Sequence, residues 1–257
     1  MNTNIGFIGG GRIAAIFLEA WQRAGLKSAS ILVSDTDHEV LERLKARFPS
    51  IETTPDNTHV MQQDLVFLGL HPPAMKAVLA ELSPDSKTTI ISLAPVLNIE
   101  KISELLKGHT RLVRMIPNAP SLLGRGYNPV AFGPGVSPED RQRMRPLFLA
   151  LGESPEIPEA QIEAHAILTA MGPTYFWPQW QKLRVQGCEF GLEAAVVDRA
   201  LAAMLRGAVD LFFESGLPYE AVYDTIPGKP LAESQESILA QYQEKLPALH
   251  ARLTGGA

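Results

Sequence analysis

Apolar and polar positions divide the chain into two halves of different texture. In the first half, short unbroken apolar runs alternate with amphipathic stretches. NIGFI (4–8), SILVS (30–34), DLVFLGL (64–70), TTIISLA (88–94), RLVRMIP (111–117) and YNPVAFG (127–133) read as strands. They lack the in–out alternation of a sheet with one wet face, so both faces are expected to be covered. Between them, residues 14–24, 40–48, 75–82 and 99–107 carry apolar residues at helical spacing. In the first of these, Ala15, Leu18 and Trp21 or Gln22 share a face. Strand–helix alternation with short connections predicts an α/β architecture with a doubly wound parallel sheet.

From Gln161 onward no run reads as a strand. RALAAMLRGAVDLFFESG (199–216) is strongly helical, with Leu201, Leu205, Ala208 and Phe212 in one apolar row and Ala202, Val209 and Phe213 widening it. A helix apolar round so much of its circumference is expected to be buried nearly all round. About a hundred residues offer little core to bury it in. The helix is therefore either the centre of a small bundle or part of a core shared by two copies of the chain; the second is favoured and implies a homodimer. The boundary is placed in the Pro- and Glu-rich GESPEIPEAQ (152–161), giving an α/β domain over 1–157 and an all-α substrate and dimerisation domain over 158–257.

Composition narrows the class. The 257 residues suffice for one large or two modest domains, with 46% hydrophobic and 20% charged residues in an ordinary globular balance. The net charge is −5 and no basic run is present, which argues against a nucleic-acid partner. A single cysteine, Cys188, excludes an intramolecular disulfide, fits a reducing cytoplasm and is expected to be small and buried. No run approaches the ~18 apolar residues of a membrane span, and the N-terminus lacks the basic-then-apolar order of a signal peptide. The histidines at 38, 59, 71, 109, 165 and 250 show no ligand spacing, so no metal is expected. His165 reads as a structural histidine, PEDRQRMR (138–145) as a solvated helix face, and Phe176, Trp177 and Trp180 as core or dimer contacts.

Against this background one motif carries chemistry. In IGFIGGGRIA (5–14), Gly9, Gly11 and Ala14 satisfy G-x-G-x-x-[G/A] between a strand and a helix. The first glycine permits a tight turn, the second lets backbone approach a pyrophosphate, and the small third residue lets helix and strand pack. Arg12 and Ile13 lie inside the loop, and the helix start offers free N–H groups and a partial positive charge. The second strand ends at Asp35, where a carboxylate meets the adenosine ribose and repels a 2′-phosphate. With Ser34, Thr36, Asp37 and His38 as neighbours and no arginine among them, charge favours NAD, while Ser34, Thr36 and a protonated His38 could still hold the 2′-phosphate of NADP.

Several segments recur in a recognisable order. IGFIGGGRIA, LVFLGLHP (65–72), RLVRMIPNAPSLLGRG (111–126), TAMGPTYFW (169–177) and IPGKP (226–230) together resemble the pyrroline-5-carboxylate reductase family along nearly the whole chain. The resemblance implies a Rossmann-type N-terminal domain, a helical C-terminal domain interlocking two chains, and reduction of a ring imine with NADPH or NADH. Gly9, Gly11 and Ala14 then match the phosphate loop, and Asn57 an asparagine reaching the cofactor ribose. Leu70, His71 and Pro72 match a groove-lining Val-Lys-Pro, with Ala94 at the end of the next strand. Asn118 matches an asparagine near the nicotinamide, and also reads as an Asx-turn at a strand end.

The substrate side departs from the family. Thr169, Ala170, Met171, Gly172, Pro173, Thr174 and Tyr175 stand where it has Ser-Gly-Ser-Gly-Pro-Ala-Tyr. Ile226, Pro227, Gly228, Lys229, Pro230 and Leu231 stand where it has Ser-Pro-Gly-Gly-Thr-Thr, the loop that binds the substrate carboxylate and presents a threonine hydroxyl. Pro230 removes an N–H and Leu231 has no hydroxyl. The remaining catalytic candidates are Tyr175, as proton donor or packed aromatic; Thr169; and Lys229, as a charge for a carboxylate or an exposed lysine. The favoured reading is a reductase acting on a C=N or C=O of a small carboxylated imine or keto acid, with an altered substrate loop. The alternatives are a genuine pyrroline-5-carboxylate reductase of proline biosynthesis and a non-catalytic dinucleotide-binding sensor or scaffold.

Overall fold

The computed structural model describes residues 3–70 and 72–255, the side chains of Pro72 and Pro73 excepted. Nine strands are formed by the described residues: β1 (Asn4–Ile8), β2 (Ser30–Ser34), β3 (Glu52–Thr54), β4 (Leu65–Leu68), β5 (Thr89–Ser92), β6 (Leu112–Met115), β7 (Gly126–Tyr127), β8 (Val130–Phe132) and β9 (Gly152–Glu153). The main sheet runs β3-β2-β1-β4-β5-β6-β8. All its neighbours are parallel except β6 and β8, which pair antiparallel with Met115 opposite Val130. From β1 the chain winds to one side through β2 and β3, then returns to β4 on the other. The carboxyl ends of β1 and β4 therefore flank the point where strand order reverses, the place where open α/β sheets take their ligands.

Both faces of the sheet are covered, as the unbroken apolar strands require. Phe7 and Phe67, opposite each other in β1 and β4, stack at 4.9 Å and meet Phe17 and Trp21 of α1 (Arg12–Arg23). Trp21 also donates its indole N–H to Leu147 O at 2.9 Å, so the ring is packed and its one polar group satisfied. Their chain neighbours Ile8, Val66 and Leu68 point the other way, into a second cluster with Met75 and Leu79 of α4 (Pro72–Glu81). Between these lie α2 (His38–Arg47) and α3 (Asn57–Val60), and α5 (Ile99–Leu105) follows β5.

Three local expectations are corrected. The run 127–133 is two strands, because Asn128 turns inward between them and bonds the Leu151 and Glu153 carbonyls; β7 then pairs with β9 in a separate small sheet. β3 escaped the pattern reading because its three residues carry no apolar run. In α6 (Pro138–Leu149) the polar stretch is not wholly solvated: Asp140 and Met144 are buried. Asp140 forms a capping box with Ser137 and pairs with Arg111 at 2.7 Å and Arg143 at 3.1 Å. A helix-start carboxylate gripped by two arginines escapes any apolar periodicity.

Compactness divides the chain into a larger unit running to Met171 and taking in the segment from Ala248, and a smaller unit, Gly172–Pro247. The division falls beyond the Pro/Glu-rich linker because the following helix belongs to the sheet. In α7 (Ile162–His165), Ile162 packs with Ile116 and Ala131, as does Ala166 just after it. Arg114 of β6 meanwhile holds Glu159 and Glu163.

The smaller unit contains α8 (Trp177–Glu189), α9 (Ala194–Glu214), α10 (Tyr219–Asp224) and most of α11 (Gln235–Gly255). Here α9 departs from expectation: within one chain only Val197 of this helix is buried, while Met204, Val209, Phe212 and Phe213 are exposed. It is therefore not the centre of a bundle made by a single chain. Cys188 is exposed, not buried. Trp177 and Trp180 are also partly open to solvent. Among the described residues no helix is long and apolar enough to cross a membrane, and no cluster of three or more His, Cys, Asp or Glu is suited to a metal.

Candidate active site

At the carboxyl end of β1 the backbone must turn sharply under its neighbour. Gly9 takes φ +100°, and a Cβ there would sit 2.7 Å from the Gly69 carbonyl oxygen, so no L side chain fits. Gly9 N–H donates to Ser34 O and Gly69 N–H to Ile8 O, both at 2.8 Å, which ties the ends of β1, β2 and β4 together. Gly11 is different: a Cβ there would meet nothing within 4 Å among the described residues. Its value lies in the open space above it.

That space faces the start of α1. Gly11 is the N-cap, contributes no side-chain hydrogen bond, and no acidic residue occupies the first turn. The leading amides of a 12-residue helix are thus left without an internal anion. Arg12 stands exposed at the first helical position, Ile13 is half-buried against Gly69, and Ala14 is fully buried beneath. Free amides, an open approach and an adjacent guanidinium together suit a phosphate group.

Asp35 lies beside this loop, but its carboxylate is already engaged. Oδ2 accepts the Gly10 amide at 2.8 Å and Oδ1 the Asp37 amide at 2.9 Å. The acid therefore braces the glycine loop from the end of β2. A carboxylate has about four acceptor positions, so ribose hydroxyls can still be received. Thr36 next to it is exposed. At the start of α3, Asn57 Oδ1 accepts the Ser34 hydroxyl at 2.7 Å. That bond fixes the amide plane at the carboxyl end of β2. Leu70 is half-buried after β4, and Ala94 is buried after β5. His71 lies outside the described residues, as does the side chain of Pro72.

The end of β6 carries a polar cluster that sequence reading anticipated only in part. Asn118 does not close an Asx-turn, since its side chain caps no backbone amide. Its Oδ1 accepts the Ser121 hydroxyl at 3.3 Å, and its Nδ2 donates to Thr169 O at 3.2 Å. Asn128 Oδ1 accepts both the Ser121 hydroxyl, at 2.6 Å, and the Asn118 amide, at 3.2 Å. Gly126 leaves room for this network: a Cβ there would fall 1.9 Å from Ser121 Oγ. The Thr169 hydroxyl is spent within its own helix, donating to His165 O at 2.8 Å. The helix switches to π geometry over Ala166–Ala170, a distortion frequent at functional sites. The His165 ring lies 5.9 Å from that of Tyr127, tilted by 31°, and its Nδ1 is buried without a hydrogen-bond partner among the described residues, so it is not the satisfied structural histidine expected.

Tyr175 and Lys229 belong to the smaller unit. Tyr175 meets Tyr242 edge-on at 5.8 Å and Phe176 at 6.4 Å. Burial, with Tyr242 adding to it, raises its phenol above the ordinary tyrosine range, which makes it a weaker acid than an exposed tyrosine. Lys229 Nζ lies 4.7 Å over the Tyr223 ring. The loop carrying it borders a cavity of about 510 Å³ lined chiefly by apolar residues such as Phe212, Ile226, Pro230 and Leu231. Among its described lining residues Lys229 bears the only charge.

Sequence reading missed Gly10, whose amide anchors Asp35, and Gly69, which makes room for Gly9. Glu159 and Glu163 also went unnoticed; their partner Arg114 stood in plain view within RLVRMIP. No local pattern signals partners 45 and 49 residues apart.

Residues 4–95 match the family described as NADP oxidoreductase, coenzyme F420-dependent. Pyrroline-5-carboxylate reductase from Corynebacterium melassecola is 26% identical over 219 residues, covering 83% of this chain and 81% of that protein. Pyrroline-5-carboxylate reductase 3 from Rattus norvegicus is 27% identical over 256 residues, covering 98% of this chain and 88% of the relative. Among solved structures, Plasmodium falciparum pyrroline carboxylate reductase with NADP bound superposes with a TM-score of 0.76 at 19% identity, over 99% of this chain and 95% of the other.

Proposed function

Because the chain is a divergent relative of the pyrroline-5-carboxylate reductases, we propose that it is a reductase using a nicotinamide dinucleotide to reduce a C=N or C=O bond in a small carboxylated imine or keto acid. The observation that carries this reading is the start of α1. Its amides are uncapped, its first turn holds no acid, and open space lies above Gly11. The dinucleotide supplies the hydride when bound. The protein's work is then to grip the pyrophosphate, orient the reactive ring and provide a proton.

In this reading Gly9, Gly11, Arg12, Ile13 and Ala14 hold the pyrophosphate, while Asp35, Thr36 and Asn57 meet the adenosine ribose. Leu70, His71, Pro72, Ala94 and Asn118 border the groove toward the nicotinamide. NADH is preferred, since the Asp35 carboxylate opposes a 2′-phosphate. Lys229 pairs with the substrate carboxylate, replacing the amides and hydroxyl that the loop 226–231 lacks. Tyr175, protonated at neutral pH, supplies the proton to nitrogen or oxygen; Thr169 serves through its carbonyl, which fixes Asn118, since its hydroxyl is already bonded. The exposed thiol of Cys188 suits a reducing cytoplasm. The apolar surface of α9 suits a homodimer in which a second copy covers it.

Titration with NADH and NADPH, followed by oxidation assays against cyclic imino acids and 2-oxo acids, tests the proposal. Tight binding with turnover of one such substrate is expected. Absence of binding to either dinucleotide at millimolar concentration overturns the redox reading, and binding without turnover favours a sensor.

A further inference from the structure

Val96 holds a backbone conformation that its residue type resists. Its φ is +91°, and a β-branched residue in the left-handed half of the map costs about 1–3 kcal/mol. Such strain persists only where the surroundings over-determine it. Pro95 fixes its own φ and biases Ala94 toward an extended conformation. On the far side, Asn98 caps α5 by accepting the Lys101 amide at 2.9 Å. Between these, the Val96 amide donates to Glu163 Oε1 at 3.4 Å.

That acceptor is itself held from beneath. Glu163 is buried and receives Arg114 Nη2 at 2.5 Å. Arg114 is 1% exposed, and its Nη1 reaches Glu159 Oε1 at 3.2 Å, the oxygen that also accepts the Ile99 amide at 2.6 Å. One buried arginine on β6 therefore anchors two carboxylates, and each bonds an amide in, or just after, the turn that follows β5. This turn lies at the carboxyl edge of the sheet, next to Ala94. Glycine would adopt the same backbone without strain, so the isopropyl group stands there at a conformational cost.

We propose that Val96 is a specificity-determining residue whose side chain shapes the wall against which the substrate's reacting carbon is held. Glu163, fixed by Arg114, is the positioning residue that keeps the turn in its strained form. The assignment rests on the reductase reading.

The test uses the full chain as wild type, Val96→Gly, Glu163→Gln and the double variant. Thermal midpoints, NADH dissociation constants, and kcat/KM over imino and 2-oxo acids graded in size are measured. Val96→Gly is expected to raise the midpoint while reducing, by about fivefold or more, the preference for the best substrate over one enlarged by two methylenes. Glu163→Gln is expected to lower kcat/KM about tenfold in the native background but less than about threefold beside Val96→Gly, because a relaxed turn no longer needs holding. A purely structural Glu163 would cost the same in both backgrounds, and that result overturns the proposal. So does a Val96→Gly selectivity within about twofold of wild type. If wild type binds NADH but reduces nothing, the reductase reading fails separately. The cycle read on NADH affinity then decides whether positions 96 and 163 are coupled, and additivity refutes it. If NADH does not bind at all, both fall.

Discussion

The amide of Gly10 donates to Asp35 Oδ2 at 2.8 Å, so the acid at the end of β2 is built into the glycine loop. Its charge stands beside the loop whether or not a ribose is present. Replacing it with serine removes the charge that opposes a 2′-phosphate and weakens the brace on Gly10. Asp35→Ser is expected to weaken NADH binding and to shift the NADPH-to-NADH affinity ratio toward NADPH by about tenfold, equivalent to about 1.4 kcal/mol. Fluorescence titration of both nucleotides reads it. An unchanged ratio would show that cofactor choice is made elsewhere.

Gly126 sits where three polar side chains converge. A Cβ there would lie 1.9 Å from Ser121 Oγ, 2.7 Å from Asn128 Nδ2 and 2.8 Å from Asn118 Oδ1. None of these is the free end of a long flexible chain. Gly126→Ala must displace Ser121 or break the buried network, and overpacking of this kind costs about 1–3 kcal/mol. The urea midpoint is expected to fall with an unchanged slope, and nucleotide-dependent activity to fall with it as Asn118 is displaced. A midpoint equal to wild type would mean that the network yields freely.

Asp140 predicts an acid limb in the stability curve. Burial pushes its pKa up, but the Ser137 hydroxyl and amide, with Arg111 and Arg143, more than offset this and hold it below the usual carboxylate value. A depressed folded-state pKa means that the unfolded chain binds the proton more readily. The stabilisation is thus complete above the unfolded aspartate value, about pH 4, and is lost as pH falls below it through the folded value. Asp140→Asn is expected to be less stable at pH 7 and to show a shallower loss as the pH falls below about 4. Equal acid limbs in denaturant titrations of the two proteins would assign the loss to other carboxylates.

What could be read in advance divides along physical lines. Unbroken runs such as NIGFI and DLVFLGL announced strands buried on both faces, because that burial needs only local apolarity. Gly9 and Gly11 announced the loop, since sterics and ligand approach demand glycine at fixed spacing. Asp35 and Asn118 stood out as positions, but their bonding did not: both spend hydrogen bonds on partners set by the fold, Gly10 for one and Ser121 and Thr169 for the other. Asp140 read as part of a solvated helix face, and Glu163 carried no signal at all, because Arg111 and Arg114, which hold them, lie 29 and 49 residues away in sequence. β3, three residues paired only through its backbone with β2, offered no hydrophobic signal.

Phe213 gives the sharpest test of what covers α9. It is 77% exposed within one chain, beside Phe212 at 46%. In a monomer an exposed apolar residue is worth little, and a polar replacement there stays within about 0.5 kcal/mol. In a dimer that buries the helix face, the same replacement places a charge in a dry interface. Phe213→Glu is therefore expected to convert a dimer to a monomer in light scattering, to lower the thermal midpoint, and to abolish the concentration dependence of that midpoint seen in the wild type. The wild type must itself sediment as a dimer for this to hold. A monomeric wild type, with Phe213→Glu equally stable, would leave α9 as a solvent-facing helix and remove the shared core.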